Sequence, residues 1–182
     1  MRSEQELARL CTAGDREAQG ELYAQYASRL YALCYRYIAE REEAQDLMHD
    51  AMIKAMDSFW TFHYTGDGSL YAWLRRLTVN VVIDRLRQKS KLHLVPLDQT
   101  VETGNADDYE DADDIPVDVM LGMVASLPSV RRAVFNMYCI DGFSHREIAA
   151  ALGISEKGSA SILAKSRAQL REAIKDYLNK IR

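Results

Sequence analysis

Between Phe143 and Arg167 the chain reads FSHREIAAALGISEKGSASILAKSR, and its side chains suit a surface that binds a polyanion rather than one that breaks bonds. Arg146, Lys157, Lys165 and Arg167 supply charge for phosphates, while Ser155, Ser159 and Ser161 supply hydroxyls that can donate to phosphates or base edges. An apolar-periodic helix through Ile148, Ala149 and Leu152 stops at Gly153, and after Ile154 a second helix opens with Ser155 as its N-cap. That grammar is a helix-turn-helix, which offers its second helix to a DNA major groove. Small Ala149 and Gly153 let the two helices cross closely, with Ile148, Leu152, Ile154 and Leu163 filling the space between them. Small residues between helices also serve plain packing, so the motif alone leaves both readings open.

Bond-breaking chemistry finds no comparable signal. The chain has no Gly-rich phosphate loop, no HExxH, no GxSxG and no clustered nucleophile and base, which argues against an enzyme. Cys11, Cys34 and Cys139 are odd in number and widely separated, and His49, His63, His93 and His145 lack metal-ligand spacing. Reduced thiols are expected, with no metal and no cofactor.

The elements that must position the basic and polar residues are helical. Apolar residues recur at steps of three and four from Glu17 to Ile38, at Leu22, Tyr26, Leu30, Leu33, Cys34, Tyr37 and Ile38. A second helix is predicted from about Glu42 to Phe59, burying Ala44, Leu47, Met48, Ala51, Met52, Ala55 and Met56. Its other face carries Glu43, Asp46, Asp50, Lys54 and Asp57, either as a solvated surface or as a docking face. The segment WTFHYTGDGS has turn chemistry, and a third helix follows from about Ser69 to Gln88. Its apolar positions are Leu70, Trp73, Leu74, Leu77, Val81 and Leu86, and its basic ones Arg75, Arg76, Arg85 and Arg87. Trp73 suits core packing better than base stacking. Near the C-terminus a short helix from about Val119 to Ser126 and another opening at Pro128 precede the helix-turn-helix, whose last helix is expected to reach Leu178.

With 182 residues, 48% of them hydrophobic and only three prolines, the chain is read as all-α with two small domains. Its net charge of −4 is unevenly distributed. Residues 1–74 carry net −5, 75–91 net +5, 92–118 net −9 and 119–182 net +5. Two basic segments imply two DNA-contacting surfaces, and the acidic front implies a basic or mixed partner. Residues 92–118, with nine acids and no Lys or Arg, read as a flexible acidic linker between a domain over 1–91 and one over 119–182. No apolar run reaches the roughly 18 residues of a membrane span, so stable membrane insertion is not expected and a cytoplasmic location is.

Taken together, these segments resemble a bacterial sigma factor of the extracytoplasmic-function group of the sigma-70 family. EAQDLMHDAMIKAM, residues 43–56, resembles region 2.2, which grips the clamp helices of the β′ subunit of RNA polymerase; Asp46, Leu47 and Asp50 fall on matching positions. SLYAWLRRLTVNVVIDRLR, residues 69–87, resembles regions 2.3 and 2.4, with Trp73, Leu74, Asn80, Asp84 and Arg87 at the family spacing. The C-terminal unit resembles region 4, which reads the promoter −35 element.

The resemblance implies a protein without a catalytic site that joins core polymerase through its β′ and β subunits and melts promoter DNA. It implies −10 contacts at Trp73, Arg75, Arg76, Asn80 and Arg87, and a loop from Phe62 to Ser69 that receives an extruded base. It implies −35 contacts at Arg146, Ser155, Lys157, Ser159, Ser161, Lys165 and Arg167, and an anti-sigma factor as a possible further partner. The chain departs from the family pattern at His49, usually Gln, and at Met56, usually Trp. It also departs at Ala160 and Ile162, where relatives carry basic residues. The competing expectation is a stand-alone helix-turn-helix regulator with a sensing or dimerising front domain.

Overall fold

The computed structural model describes residues 2–90 and 115–181. Among these the regular structure is helical, and the chain divides into two compact units, one through Asp84 and one from Arg85 onward. Most of the predicted acidic linker lies outside the described residues. Its last four positions belong to folded structure: Ile115 is buried and a helix already begins at Val117.

The front unit opens with α1, Glu4–Thr12, a nine-residue helix that the sequence pattern did not lead us to expect. Ser3 caps it by accepting from the Glu6 amide at 3.2 Å, and Leu7, Ala8 and Cys11 form its buried side. Helix α2, Arg16–Ile38, starts where Asp15 accepts from the Ala18 amide at 2.8 Å, and ends at Ala39 in the left-handed region with φ 56°. Glu40 then caps α3, Arg41–Ser58, accepting from the amides of both Glu42 and Glu43. This two-residue connection folds α3 back along α2. All seven predicted apolar positions of α2 are buried, as are six of the seven on α3; Met56 is half-exposed. At the N-terminus Arg2 bonds Glu21 at 2.8 Å and pairs with Glu17 at 3.1 Å. The Arg2 amide and guanidinium hold the Glu21 carboxyl below the usual carboxylate range.

A single 3-10 turn, Phe59–Thr61, leads through a loop to α4, Ser69–Ser90. The observed register of α4 differs from the predicted stripe. Leu77 and Val81 are half-exposed, whereas Thr78, Val79, Val82 and Ile83 are buried with Leu70, Leu74 and Leu86. At about 100° per residue these buried positions cover more than half of the helix circumference. A narrow amphipathic stripe therefore misdescribes this helix.

The second unit comprises α5, Val117–Ser126, α6, Ser129–Phe135, a π-helical turn over Asn136–Ile140, α7, His145–Leu152, and α8, Glu156–Ile181. Buried Arg132 donates to the Ala125 and Leu127 carbonyls, closing the end of α5 against α6. Ser166, also buried, donates to the Ile162 carbonyl at 2.8 Å and the Arg131 carbonyl at 3.2 Å, which fixes α6 against α8. Leu127, Ala133, Val134, Met137, Ile148, Ala149, Ile162 and Leu163 make up the apolar core.

Among the described residues no helix is long and apolar enough to cross a membrane, and no three His, Cys, Asp or Glu side chains are grouped to hold a metal ion. The three cysteines are free. Burial pushes the Cys11 thiol up to about 11 and the Cys34 thiol to about 12, so both stay protonated and unreactive near neutral pH.

Candidate nucleic-acid interface

The helix-turn-helix forms as expected, with the Gly153 stop and the Ser155 cap where the sequence placed them and a further polar cap at the start of α7. Ser144 and Glu147 make a reciprocal capping box at the start of α7. Gly153 ends α7 at φ 70°, ψ 35°, and the amides of Gly153 and Ile154 both bond the Ala149 carbonyl. That left-handed conformation is open to glycine at little steric cost. Ser155 caps α8, accepting from the Gly158 amide at 2.9 Å.

Ser159 is a correction. It is fully buried, and its hydroxyl lies 3.0 Å from His145 Nδ1, so it joins α7 to α8 and has no surface to offer DNA. Ile162 is buried too, so the missing basic side chain there takes nothing from the outer face of α8. That face carries exposed Lys157 with half-exposed Ser161 and Lys165 within an arc of about 80°, opposite Ser159, and Arg146 is exposed on α7. Arg167 turns toward its own unit. Its guanidinium sits 5.8 Å over the Tyr138 ring and donates to Cys139 Sγ at 3.8 Å. Tyr138 in turn stacks on His145 at 4.5 Å. His145→Ala therefore removes one part-buried hydrogen bond and one ring stack, and should destabilise the chain by about 1–2 kcal/mol in urea denaturation. Ser159→Ala in the His145→Ala background should cost less than it does alone, because the two share one contact.

The second candidate surface is α4. Trp73, Arg76, Asn80, Asp84 and Arg87 fall within an arc of about 80° on its outward side. Arg76, Asn80, Asp84 and Arg87 are exposed and Trp73 is half-buried. One side of Trp73 is packed as expected, with ring centroids 5.0 Å from Phe59 and 5.4 Å from Phe62. Arg75 departs from the expected set: it is half-buried and lies on the inward arc between Thr78 and Val79. The loop before α4 is exposed at His63, Tyr64 and Thr65, and Trp60 just ahead of it is 75% exposed. Within the loop Tyr64 donates to Asp67 at 2.8 Å, a bond that pushes its phenol up.

A third surface lies on α3. Asp46 and Asp50 are exposed as expected, but Leu47 is 2% exposed and packs inward, which removes it from a docking role. Ile53, 61% exposed, lies in a stripe with Asp46, Asp50 and Asp57. The sequence signal for it was present: an isoleucine on the polar side of an otherwise well-segregated helix. His49 is half-exposed, its Nε2 2.9 Å from the Tyr23 hydroxyl, so it braces α3 against α2.

An acidic face on α3 and a polar and aromatic outward arc on α4 in the front unit, with a capped helix-turn-helix in the second, define a two-unit, all-helical chain with the layout of a bipartite DNA-binding protein. Comparison with known proteins narrows that class. Sigma-70 region 2 matches residues 22–92, and sigma-70 region 4 matches residues 118–170. The chain is 31% identical over 178 residues to the ECF RNA polymerase sigma factor SigM of Mycobacterium tuberculosis, covering 98% of this chain and 87% of SigM. It is also 31% identical over 165 residues to SigE of Mycolicibacterium smegmatis, covering 88% of this chain but 61% of the length of SigE. The sigma factor RpoE of Bartonella quintana, solved in complex with the anti-sigma factor NepR, shares the fold at 17% identity and a TM-score of 0.50, over 86% of this chain and 96% of RpoE. The chain belongs to the ECF RNA polymerase sigma factors of the sigma-70 family. The front unit that a stand-alone regulator would use for sensing is, by this match, region 2.

Proposed function

We propose that this chain directs core RNA polymerase to a specific set of promoters and assists strand opening. The observation that carries the reading is the union in one chain of region 2 and region 4, each with its own outward polar face. In this reading Asp46 and Asp50, with Ile53 on the same stripe, dock on a basic surface of core polymerase. Trp73, Arg76, Asn80 and Arg87 attend the −10 element, and the loop from Phe62 to Ser69 encloses an extruded base. Extrusion costs a few kcal/mol, and an aromatic and polar enclosure offsets it. Lys157, Ser161 and Lys165, with Arg146 and the exposed amide end of α8, address the −35 duplex through phosphates and hydroxyl contacts. An anti-sigma factor is a fitting partner, since the same faces that hold polymerase and DNA are open to be covered.

Run-off transcription with purified core polymerase and candidate promoters tests this. Transcripts should appear only when the chain and core are both present, and the chain alone should bind promoter DNA weakly. Tight operator binding without polymerase, together with no transcript, would reverse the conclusion in favour of a free-standing regulator.

A further inference from the structure

The N-terminus of α4 lacks a capping side chain of its own. The residue ahead of Ser69 is Gly68, at φ 89°, a backbone conformation that other residues adopt only with strain. The first turn still needs acceptors for its amides. The Ser69 amide finds the Gly66 carbonyl at 3.1 Å, within the loop. The Gly68 and Leu70 amides are both taken by one carboxylate from far away in sequence: Glu4 Oε2 accepts from Gly68 at 2.6 Å, and Glu4 Oε1 accepts from Leu70. A negative charge at this end of a helix also complements the helix dipole.

Glu4 is itself firmly held. It is the first residue of α1, whose N-cap is Ser3; Leu7, Ala8 and Cys11 anchor that helix in the core, and Arg2 ties the preceding segment to Glu17 and Glu21 of α2. The charge is felt by the loop and its surroundings as well: Glu4 contributes to raising the Tyr64 phenol, after Asp67 and burial, and that of Tyr26, after burial. A rigid element outside the loop thus fixes the loop's last residues, while Tyr64 with Asp67 and Thr65 with Ser69 brace its interior.

We propose that Glu4 is a positioning residue for the base-receiving loop: it touches no DNA, and by pinning Gly68 and Leu70 it holds the segment from Phe62 to Ser69 in one shape, so that one base is selected over others. The proposal rests on reading that loop as the base pocket. Its physical content is preorganisation. A loop already ordered pays less conformational entropy on receiving a base, and a single pocket shape discriminates where an ensemble does not.

The test uses full-length chain assembled with core polymerase and promoters that differ only at the base entering the loop. Opening rates are read by fluorescence of 2-aminopurine placed in the melted segment. Glu4→Ala should reduce the ratio of rates on the preferred and substituted bases by about fivefold, the loss expected of a missing helix cap, with affinity for core polymerase unchanged. Glu4→Gln, which keeps one acceptor oxygen, should fall between Glu4→Ala and wild type. Hydrogen exchange of the Gly68 and Leu70 amides should quicken in the same order. If those amides quicken while base discrimination in Glu4→Ala stays at the wild-type ratio, Glu4 is a helix cap only and the proposal is overturned. A loss of rate that is equal on all bases would overturn it as well. Wild-type holoenzyme that opens every promoter at the same rate would instead overturn the pocket reading and this proposal with it.

Discussion

Asp46→Lys combined with Asp50→Lys is expected to abolish binding of core RNA polymerase, with an affinity loss of at least about a hundredfold, because each substitution replaces an attraction by a repulsion across the same contact. Both carboxylates are exposed on α3, with their backbone in the middle of a helix whose opposite side fills the front core. Exposed substitutions of this kind usually alter stability by no more than about 0.5 kcal/mol, so the thermal transition should stay within a few degrees of wild type. Fluorescence anisotropy of labelled chain against core polymerase gives the affinity, and circular dichroism gives the fold. Leu47→Ala is the informative companion. As a buried leucine it should cost about 2–5 kcal/mol of stability, and any loss of polymerase binding should track unfolding and recover at lower temperature. Ile53→Ser should behave in the opposite way, weakening polymerase binding with little change in melting, since its side chain is mostly in solvent. Wild-type affinity in the double charge reversal would remove α3 as the docking face.

That pair of controls also shows where sequence reasoning reached and where it failed. The α2 and α3 stripes were legible because each helix buries one side, so steps of three and four map directly onto burial, as the seven predicted positions of α2, all buried, demonstrate. Leu47 belongs to that stripe; the family pattern alone put it at the partner interface. Helix α4 was harder to read, since five of the seven residues of LTVNVVI, from Leu77 to Ile83, are apolar and the helix is covered over more than half its circumference. In such a run the pattern does not reveal the register. Ser159 illustrates a different limit. A serine in a helix rich in small and polar residues reads as exposed, and the partner that buries it, His145, lies fourteen positions earlier and across a turn. Helix α1 was missed although Ser3, Glu6 and the spacing of Leu7, Ala8 and Cys11 carried a cap and a short stripe. The Glu4 contacts with Gly68 and Leu70 have no counterpart in local pattern at all, because they depend on tertiary approach of segments more than sixty residues apart.

Arg76→Glu combined with Asn80→Ala is expected to slow promoter opening by about a hundredfold while leaving polymerase binding intact. The two residues sit one turn apart on the outward arc of α4, with Trp73 on one side and Arg87 further along. Reversing Arg76 turns a phosphate attraction into a repulsion, and truncating Asn80 removes a donor and an acceptor in reach of base edges; each change alone is worth about 1–3 kcal/mol at a nucleic-acid contact. Their outward placement, away from the core that Leu74, Val79 and Ile83 form, means the fold should survive both changes. Permanganate reactivity of thymines in the −10 region measures opening, and mobility shift of the holoenzyme on duplex promoter measures closed binding. The arc should matter more for the first than for the second, because phosphates of the displaced strand and an unstacked base become available only as the duplex opens. The Arg76 contribution should also shrink at high salt, whereas that of Asn80 should persist. Arg75→Glu offers the contrast. Half-buried on the inward arc, it should lower stability, with opening impaired only in proportion to the unfolded fraction. Equal losses of opening and closed binding in the Arg76 and Asn80 variant would place this arc on duplex DNA and leave melting to the loop and its neighbouring Trp60.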